Sequence, residues 1–194
     1  MLTSTHNPTV KHIRGLQERS RNRRKAGAFV VEGVRLVQEA LQSGWQTQLV
    51  LHTPELDERG AEILAAYRQI DVEVTETSPE VMKIISDTQT PQGILAVLST
   101  TPLDFPKNLR FVLILDNVRD PGNLGTMLRT ALAAGVDGVL LPPGNVDVFS
   151  PKVVRAAMGA HFRLPMQSTS WADIKDILDP LNVFLADALG KQIY

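Results

Sequence analysis

One stretch, FVLILDNVRDPGNLGTMLRTALAA at positions 111–134, constrains the fold of this chain more than any other segment. It begins with the consecutive apolar residues Phe111 to Leu115, which predict a β-strand buried on both faces. A polar turn follows, and apolar positions at helical spacing begin at Leu124. A strand, a polar turn and a helix in this order form the unit at which open α/β sheets bind their ligands.

Arg129 is an unusual residue for a helix with a purely structural role. It lies one helical turn from Gly125 and from Ala133, and no acidic residue stands three or four positions away to pair with it. An arginine on a face of small residues has room for a partner from outside the chain. Asn123 stands where this helix is expected to start, so helix cap and ligand contact are both open roles for it.

The first 98 residues alternate predicted strands and helices. Asn7 and Pro8 are typical of a helix start, whereas the polar segment SRNRRKAG that starts at Ser20 predicts a loop. The pattern predicts strands over 29–31, 47–51, 72–74 and 93–98, and helices over 7–17, 34–41, 55–67 and 78–85. Strands interleaved with helices indicate a small α/β sandwich.

Residues 99–109 hold two prolines and few apolar side chains, which indicates a linker to a second domain over 110–194. There the pattern predicts strands over 138–141, 164–166 and 183–186, and helices over 150–159 and 171–178. This alternation predicts a parallel sheet. A parallel sheet that ends on a strand lacks the helix that covers it, so we expect this domain to be truncated at its C terminus.

Charge is distributed unevenly, although the net charge is −1. Residues 1–25 carry seven basic side chains and one acidic side chain, which leaves the remainder acidic. An arginine-rich arm on an acidic body indicates a polyanionic partner, and the alternative is a solvated tail. The candidate phosphate-binding residues of this arm are Lys11, Arg14, Arg21, Arg23, Arg24 and Lys25.

Several classes of protein are disfavoured by composition. The chain has no cysteine, and its four histidines are scattered, so neither disulfides nor a metal site are expected. No apolar run approaches the roughly 20 residues of a membrane helix, and the N terminus lacks the apolar core of a signal peptide. We therefore expect a cytoplasmic protein without membrane contact.

Two strings of the second domain carry a specific resemblance. The first is DNVRDPGNLGTMLRTA at 116–131, and the second is SPKVVRAAMGA at 150–160. Together, and in this order, they resemble the SpoU (TrmH) family of RNA ribose 2′-O-methyltransferases. Residues 1–98 look like that family's N-terminal substrate-binding domain, an α/β sandwich related to ribosomal RNA-binding proteins. The string FVVEG at 29–33 matches the first strand of that domain.

The resemblance implies a SPOUT-type α/β knot, S-adenosylmethionine as methyl donor, RNA as substrate (ribosomal favoured over transfer RNA) and a homodimer. Asn123 and Arg129 match the asparagine and arginine that the family places at its active site, which makes them the catalytic candidates. Arg155 matches a basic position of the second string. Arg119, Lys152 and Arg155 are further candidates for RNA contact, with a solvated surface as the alternative.

Two later motifs of the family build its cofactor pocket and knot, an Asn-Glu-x-x-Gly loop and a Ser-Leu-Asn stretch. Neither motif occurs among the 194 residues, so we expect both to lie beyond Tyr194. The cofactor-binding residues therefore stay unknown, and we expect this chain to be inactive alone.

Ribose methylation requires a 2′-hydroxyl held in line with an activated methyl group, and that hydroxyl must lose its proton. A guanidinium stays protonated in proteins, so Arg129 is expected to bind the adjacent phosphate and to stabilise the developing alkoxide. A phosphate oxygen or water then accepts the proton. Glu32 is expected to pair within its own domain.

Two rival functions remain. The first is an RNA-binding protein without catalysis. The second, a dinucleotide-dependent oxidoreductase, is disfavoured because no Gly-x-Gly-x-x-Gly follows Leu115.

Overall fold

The computed structural model describes residues 1–179 and 181–186. The N-terminal part alternates helices and strands, as the sequence predicts. In chain order its elements are α1 (Pro8–Glu18), α2 (Ser20–Ala26), β1 (Ala28–Glu32), α3 (Val34–Gln42), β2 (Thr47–His52), α4 (Glu58–Gln69), β3 (Glu73–Glu76), α5 (Pro79–Ile85) and β4 (Ile94–Ser99).

The C-terminal part continues the alternation after a segment, 100–111, that forms neither helix nor strand. Its elements are β5 (Val112–Ile114), α6 (Pro121–Ala133), β6 (Gly138–Leu141), α7 (Pro151–Ala157), a 3-10 turn (Ala160–Phe162), β7 (Met166–Ser168) and α8 (Trp171–Leu178).

The N-terminal sheet has the strand order β1-β4-β2-β3. Strand β4 pairs antiparallel with both β1 and β2, and β2 pairs parallel with β3. Residues of β1 alternate between two cores: Phe29 and Val31 pack with α3 and α4, whereas Ala28 and Val30 pack with α1 and α5. Helices therefore cover both faces of the sheet, and the predicted α/β sandwich is confirmed.

Helix α1 belongs to the core of this sandwich. Asn7 caps it by accepting a hydrogen bond from the Thr9 N–H, as predicted. Its residues Val10, Ile13 and Leu16 are at most 1% exposed. The start of the basic arm is thus an integral part of the fold, and the alternative of a solvated tail is wrong for it.

The segment predicted as a polar loop is helix α2. Its sequence lacks apolar periodicity because the residue that faces inward is charged: Arg23 is 6% exposed. The Arg23 Nη1 donates to the carbonyl oxygens of Leu16 and Gln17 at the end of α1. Gly27, at a φ of 57° in the left-handed region, ends the helix.

The C-terminal sheet is parallel, as predicted, with the strand order β5-β6-β7. The prediction of a strand buried on both faces over 111–115 is wrong, because β5 is half-buried and Phe111 is 51% exposed. Within the described residues β5 pairs with β6 alone.

Two predictions concern the last residues of the chain. Residues 183–186, predicted as a strand, form no regular element. Tyr194, beyond which we expect the two cofactor motifs, lies outside the described residues. The structure therefore does not test the expected truncation of this domain, which stays a prediction.

Helix α6 begins three residues earlier than the pattern of apolar residues suggests. Asp120 is its N-cap, and the Asp120 carboxylate accepts a hydrogen bond from the Asn123 N–H at 2.7 Å. Pro121 occupies the first helical position, where its fixed φ suits a helix and its missing N–H costs nothing. The role of N-cap considered for Asn123 is therefore wrong.

The two parts share a hydrophobic core. Val154 and Phe162 of the C-terminal part belong to the same buried cluster as Phe29, and Phe149 contacts Phe29 with ring centroids 4.8 Å apart. Three ion pairs, each 2.7 Å long, cross the same boundary: Arg23–Asp147, Arg155–Asp87 and Arg163–Glu39.

Candidate functional site

The turns that follow β5 and β6 are held together by Asn145. Its Nδ2 donates to the carbonyl oxygens of Leu115 and Pro142, and its Oδ1 accepts from the Val118 N–H. One side chain thereby fixes the carboxyl ends of two neighbouring strands, where open α/β sheets bind ligands. The sequence pattern did not predict a role for Asn145. Its position in a loop directly after a predicted strand is the feature that could have indicated one.

The turn after β5 exposes Arg119. Asn117 adopts a left-handed φ of 53°, which asparagine tolerates better than most residues. Its Oδ1 accepts a hydrogen bond from the Arg119 Nε at 3.0 Å. The Arg119 guanidinium is therefore tethered at one nitrogen, and its side chain stays exposed.

Asn123 lies in the first turn of α6, exposed to solvent. Its backbone N–H is taken by Asp120, whereas its side-chain amide makes no hydrogen bond to a described residue. Anionic groups are favoured at a helix N terminus because of the helix dipole and the unpaired N–H groups. A free amide at this place suits contact with a sugar or phosphate oxygen.

Arg129 is exposed on α6 and forms no ion pair with any residue that the structure describes. The face of small residues beside Arg129 was expected to have room for a partner, but its Gly125 side is not open. A Cβ added to Gly125 would lie 2.4 Å from the Ala156 Cβ and 2.7 Å from the Val153 carbonyl oxygen, so α7 occupies that side. Gly125 serves close helix packing, and the exposed side of Arg129 remains free for a partner.

On α7, Lys152 and Arg155 differ in their surroundings. Lys152 is exposed. The Arg155 Nη2 lies 2.7 Å from the Asp87 Oδ2, and each of these side chains is 31% exposed. Arg155 thus bridges to the N-terminal part, so that RNA contact through it would have to compete with Asp87.

The loop that presents Asp87 is held by Glu32. The Glu32 carboxylate accepts hydrogen bonds from the Ser86 and Thr88 hydroxyls and from the Asp87 N–H. The expectation that Glu32 pairs within its own domain is confirmed.

The basic arm presents one face to solvent. Lys11, Arg14, Arg21, Arg24 and Lys25 are exposed, and Arg14 pairs with Glu18 one turn away at 3.1 Å.

Arg23 is the exception among the candidates of the arm. Besides its bonds to α1, its Nη2 pairs with the Asp147 Oδ2 at 2.7 Å. The prediction that Arg23 contacts phosphate is wrong, because a buried guanidinium that is already bonded to the protein cannot also bind RNA.

An interdomain cleft of about 910 Å³ separates α2 from the carboxyl ends of β6 and β7. Volumes of this size are typical of small-molecule sites. The residues that line this interdomain cleft are Ser20, Arg23, Arg24, Gly27, Thr100, Leu141 to Phe149, and Ser168 to Ser170.

The interdomain cleft does not fit S-adenosylmethionine. Asp147 is the acidic residue among the described lining residues, and it is already paired with Arg23. Open α/β sheets commonly bind a nucleoside ribose through a free carboxylate. Arg24, whose charge has no partner in the described ranges, would also face the cationic sulfonium. We therefore assign no cofactor contact to the residues of this cleft.

His161 is a buried histidine between the two parts of the chain. It is 1% exposed, and burial lowers its pKa to about 4, so the ring is neutral at pH 7. One ring nitrogen, Nε2, lies 2.7 Å from the Val148 carbonyl oxygen and donates to it. The Phe149 and Phe29 rings lie beside it, which indicates a packing role.

Membrane-spanning helices and metal clusters are both absent from the part of the chain that the structure describes. Its helices include none long and apolar enough to cross a membrane. Residues 1–179 and 181–186 also contain no group of three or more histidine and carboxylate side chains that could hold a metal ion.

The chain matches two family models in tandem. Residues 7–96 match the MRM3-like substrate binding domain, and residues 110–194 match the SpoU rRNA Methylase family.

Two similar proteins are rRNA methyltransferases. The chain is 44% identical over 172 residues to rRNA methyltransferase 3A, mitochondrial, of Danio rerio, with 84% of this chain and 39% of that protein covered. It is 36% identical over 165 residues to the 23S rRNA (guanosine(2553)-2′-O)-methyltransferase RlmP of Bacillus subtilis, with 85% and 63% covered. The chain therefore spans less than two thirds of these relatives.

Solved structures of the same kind have the same fold. An rRNA methyltransferase from Sinorhizobium meliloti with bound AdoMet superposes with a TM-score of 0.79 at 32% identity, with 90% of this chain and 66% of that chain covered. An RNA 2′-O ribose methyltransferase superposes with a TM-score of 0.75 at 31% identity, with 92% and 69% covered. The two family strings, the parallel sheet and these similarities together show that the chain belongs to the SpoU (TrmH) family of RNA methyltransferases.

Proposed function

We propose that this chain forms the RNA-binding side of an enzyme that methylates a ribose 2′-hydroxyl in ribosomal RNA, with S-adenosylmethionine as methyl donor. The observation that carries the proposal is Arg129, which is exposed and without an ion-pair partner in the described ranges, on the helix that bears the family's first string. The names of the two relatives described above, both rRNA methyltransferases, support ribosomal over transfer RNA.

In this proposal Arg129 and Asn123 act on the RNA. The Arg129 guanidinium binds the phosphate beside the target ribose in a bidentate manner and stabilises the alkoxide that develops at the 2′-oxygen. The guanidinium itself stays protonated, so the proton passes to a phosphate oxygen or to water. Asn123 supplies a neutral amide that orients the ribose at the start of α6.

The remaining RNA contacts are expected from side chains that the structure leaves exposed. Phosphate contacts fix the position of an RNA on a protein and make its affinity depend on salt. The residues proposed for these contacts are Lys11, Arg21, Arg24, Lys25, Arg119 and Lys152, with Arg14 and Arg155 available after exchange of their acidic partners.

We further propose a homodimer and a cytoplasmic location. The homodimer follows from the family resemblance, and light scattering of the purified protein measures it. The bacterial relative supports the cytoplasm, whereas the zebrafish relative is mitochondrial. Fractionation of the source cells separates the two locations.

Methyl transfer from labelled S-adenosylmethionine to ribosomal RNA tests the proposal in the complete gene product. Arg129→Lys keeps the charge but loses the bidentate fork, so we expect turnover to fall at least about 100-fold. Arg68→Lys, at an exposed position of α4, is the matched control and keeps normal turnover. Near-normal turnover of Arg129→Lys would show that the bidentate role is wrong.

A second function, RNA binding without catalysis, is favoured by one observation: the interdomain cleft does not fit the cofactor. Calorimetry of the 194-residue chain measures its binding of RNA and its binding of the cofactor separately. We expect heat on titration with a ribosomal RNA fragment and none with S-adenosylmethionine alone. Micromolar binding of the cofactor would contradict our assignment of the described residues to the RNA side.

A further inference from the structure

We propose that the interdomain cleft binds an unpaired nucleotide of the RNA strand, with Arg24 on its phosphate and the apolar wall that includes Pro143 and Phe149 against its base. This inference rests on the proposed function, because it names a second place at which the same substrate is held.

The two walls of the cleft differ in chemistry. Helix α2 contributes the polar wall, with Ser20 and Arg24. The loop after β6 contributes an apolar wall with three flat or branched surfaces, Pro143, Val148 and Phe149. A nucleotide has the same division, because its phosphate is anionic and its base has apolar faces that stack on such surfaces.

The charge of the cleft favours an anion. Arg23 and Asp147 neutralise each other across its floor. Arg24 is exposed and has no ion-pair partner among the described residues, so it leaves a net positive charge on the lining. Arg21 and Lys25 are exposed on the same short helix and extend this positive surface beyond the cleft. A polyanion can therefore follow α2 while one of its nucleotides enters the cleft.

The size and position of the cleft favour an unpaired nucleotide. A volume of about 910 Å³ holds one nucleotide with water but has no room for a duplex. Proteins read RNA most often in single-stranded loops, whose bases can leave the stack and enter a pocket. The fixed contact between the two parts of the chain, through Arg23 and Phe149, keeps the walls in place without RNA.

Binding of pentauridylate to the 194-residue chain tests the proposal. Arg24→Gln removes the charge inside the cleft, and we expect it to weaken binding about tenfold. Arg68→Gln removes the same charge from an exposed position of α4, outside the cleft and outside the proposed RNA contacts, and we expect a change within about twofold. Equal weakening by the two variants would overturn the proposal, because it would show a diffuse electrostatic surface.

A second variant fills the cleft from the opposite wall. Ser168 lies at the end of β7, and its side chain is exposed. Tryptophan is favoured in strands, so Ser168→Trp is expected to keep the melting temperature and to abolish pentauridylate binding. Wild-type affinity in this variant would overturn the proposal.

Two probes separate a nucleotide from other anions. Inorganic phosphate and pentaglutamate offer negative charge without a base, and we expect each to bind at least about tenfold more weakly than pentauridylate. Equal binding of either probe would overturn the assignment to a nucleotide. Pentauridylate binding involves no methyl transfer. Normal turnover of Arg129→Lys would therefore count against the proposed function, whereas absence of pentauridylate binding would count against the cleft.

Discussion

Arg23 joins three segments that are distant in the sequence. Its guanidinium donates to the end of α1 and pairs with Asp147 in the loop after β6. Within the basic arm it is indistinguishable from Arg21 and Arg24 by residue type. Its inward direction follows from the helical phase of α2, which polar residues do not reveal.

Replacing Arg23 is expected to destabilise the fold. Arg23→Met keeps the aliphatic stem but leaves the Asp147 Oδ2 and two carbonyl oxygens without the Arg23 donors, so the free energy of unfolding falls by about 3 kcal/mol. Arg24→Met, at the exposed neighbouring position, changes it by less than about 0.5 kcal/mol. Urea denaturation measures both values, and equal losses would contradict the buried role of Arg23.

His161 makes the stability of the chain depend on pH. Burial lowers its pKa in the folded state to about 4, whereas an unfolded histidine has the usual value near 6.5. The unfolded state therefore binds more protons between these values, and stability is complete above pH 6.5 and decreases towards pH 4.

We expect wild type to lose about 2 kcal/mol more than His161→Gln between pH 7 and pH 4.5. Glutamine can still donate to the Val148 carbonyl oxygen, so the variant is a fair reference. Urea denaturation at the two pH values measures the difference. Equal pH dependence in the two proteins would assign the acid sensitivity to other groups.

The sequence predicted where the catalytic candidates lie in the fold better than it predicted which residues surround them. Arg129 lies on the helix after the first strand of the parallel sheet, as predicted. The packing of Gly125 against α7 could not be predicted, because a small residue fits both an open face and a close helix contact. Likewise, Asp120 and Asn123 are both suitable caps, and the position of Pro121 at the first helical residue selects Asp120.

Among the elements, α2 bears three exposed basic side chains, Arg21, Arg24 and Lys25. Deleting residues 1–25 would remove the core residues Val10, Ile13 and Leu16 of α1, so loss of RNA binding after deletion would report on unfolding. Neutralisation of exposed charges on α2 avoids this problem.

Replacing Arg21, Arg24 and Lys25 together by glutamine is expected to lower RNA affinity and its dependence on salt. Each phosphate contact contributes about 0.7 to the slope of log affinity against log salt for single strands, so the slope falls by about 2. Fluorescence anisotropy with a ribosomal RNA fragment at several salt concentrations measures the slope. The control replaces Arg35 and Arg68, exposed on α3 and α4, and an unchanged slope in the α2 variant would contradict the role of the arm.

Strands and helices with strong apolar periodicity were predictable, and elements shaped by long-range contacts were not. Strand β6 is buried and was predicted at its observed bounds. Strand β5 has a similar apolar composition but is partly exposed, and within the described residues it pairs with β6 alone. A local pattern cannot show how deeply the other elements of the fold bury a strand.

For the molecule as a whole, the contact between the two parts is the main feature that the sequence did not indicate. A predicted linker suggested separate domains, yet Phe105 within it packs on Gly138, and Phe149 packs on Phe29. The two surface ion pairs across this boundary, Arg155–Asp87 and Arg163–Glu39, add little energy each. The shared apolar core therefore dominates the contact between the parts.

This contact predicts that the chain unfolds as one unit. The calorimetric enthalpy should equal the van't Hoff enthalpy in a single thermal transition. Phe149→Ala removes the ring that packs on Phe29 and is expected to split the transition in two, whereas Phe111→Ala, at an exposed phenylalanine, keeps one transition. Two transitions in wild type would show that the parts fold independently.

We propose that the chain serves the methylation of a ribose in ribosomal RNA and that Arg129 is required for it. Mapping of 2′-O-methylated riboses, through their resistance to alkaline cleavage, tests this in cells from which the gene has been deleted. We predict that one ribosomal RNA position loses its methyl group, and that the wild-type gene restores it while Arg129→Ala does not. An unchanged pattern of ribosomal RNA methylation in the deletion strain would contradict the account.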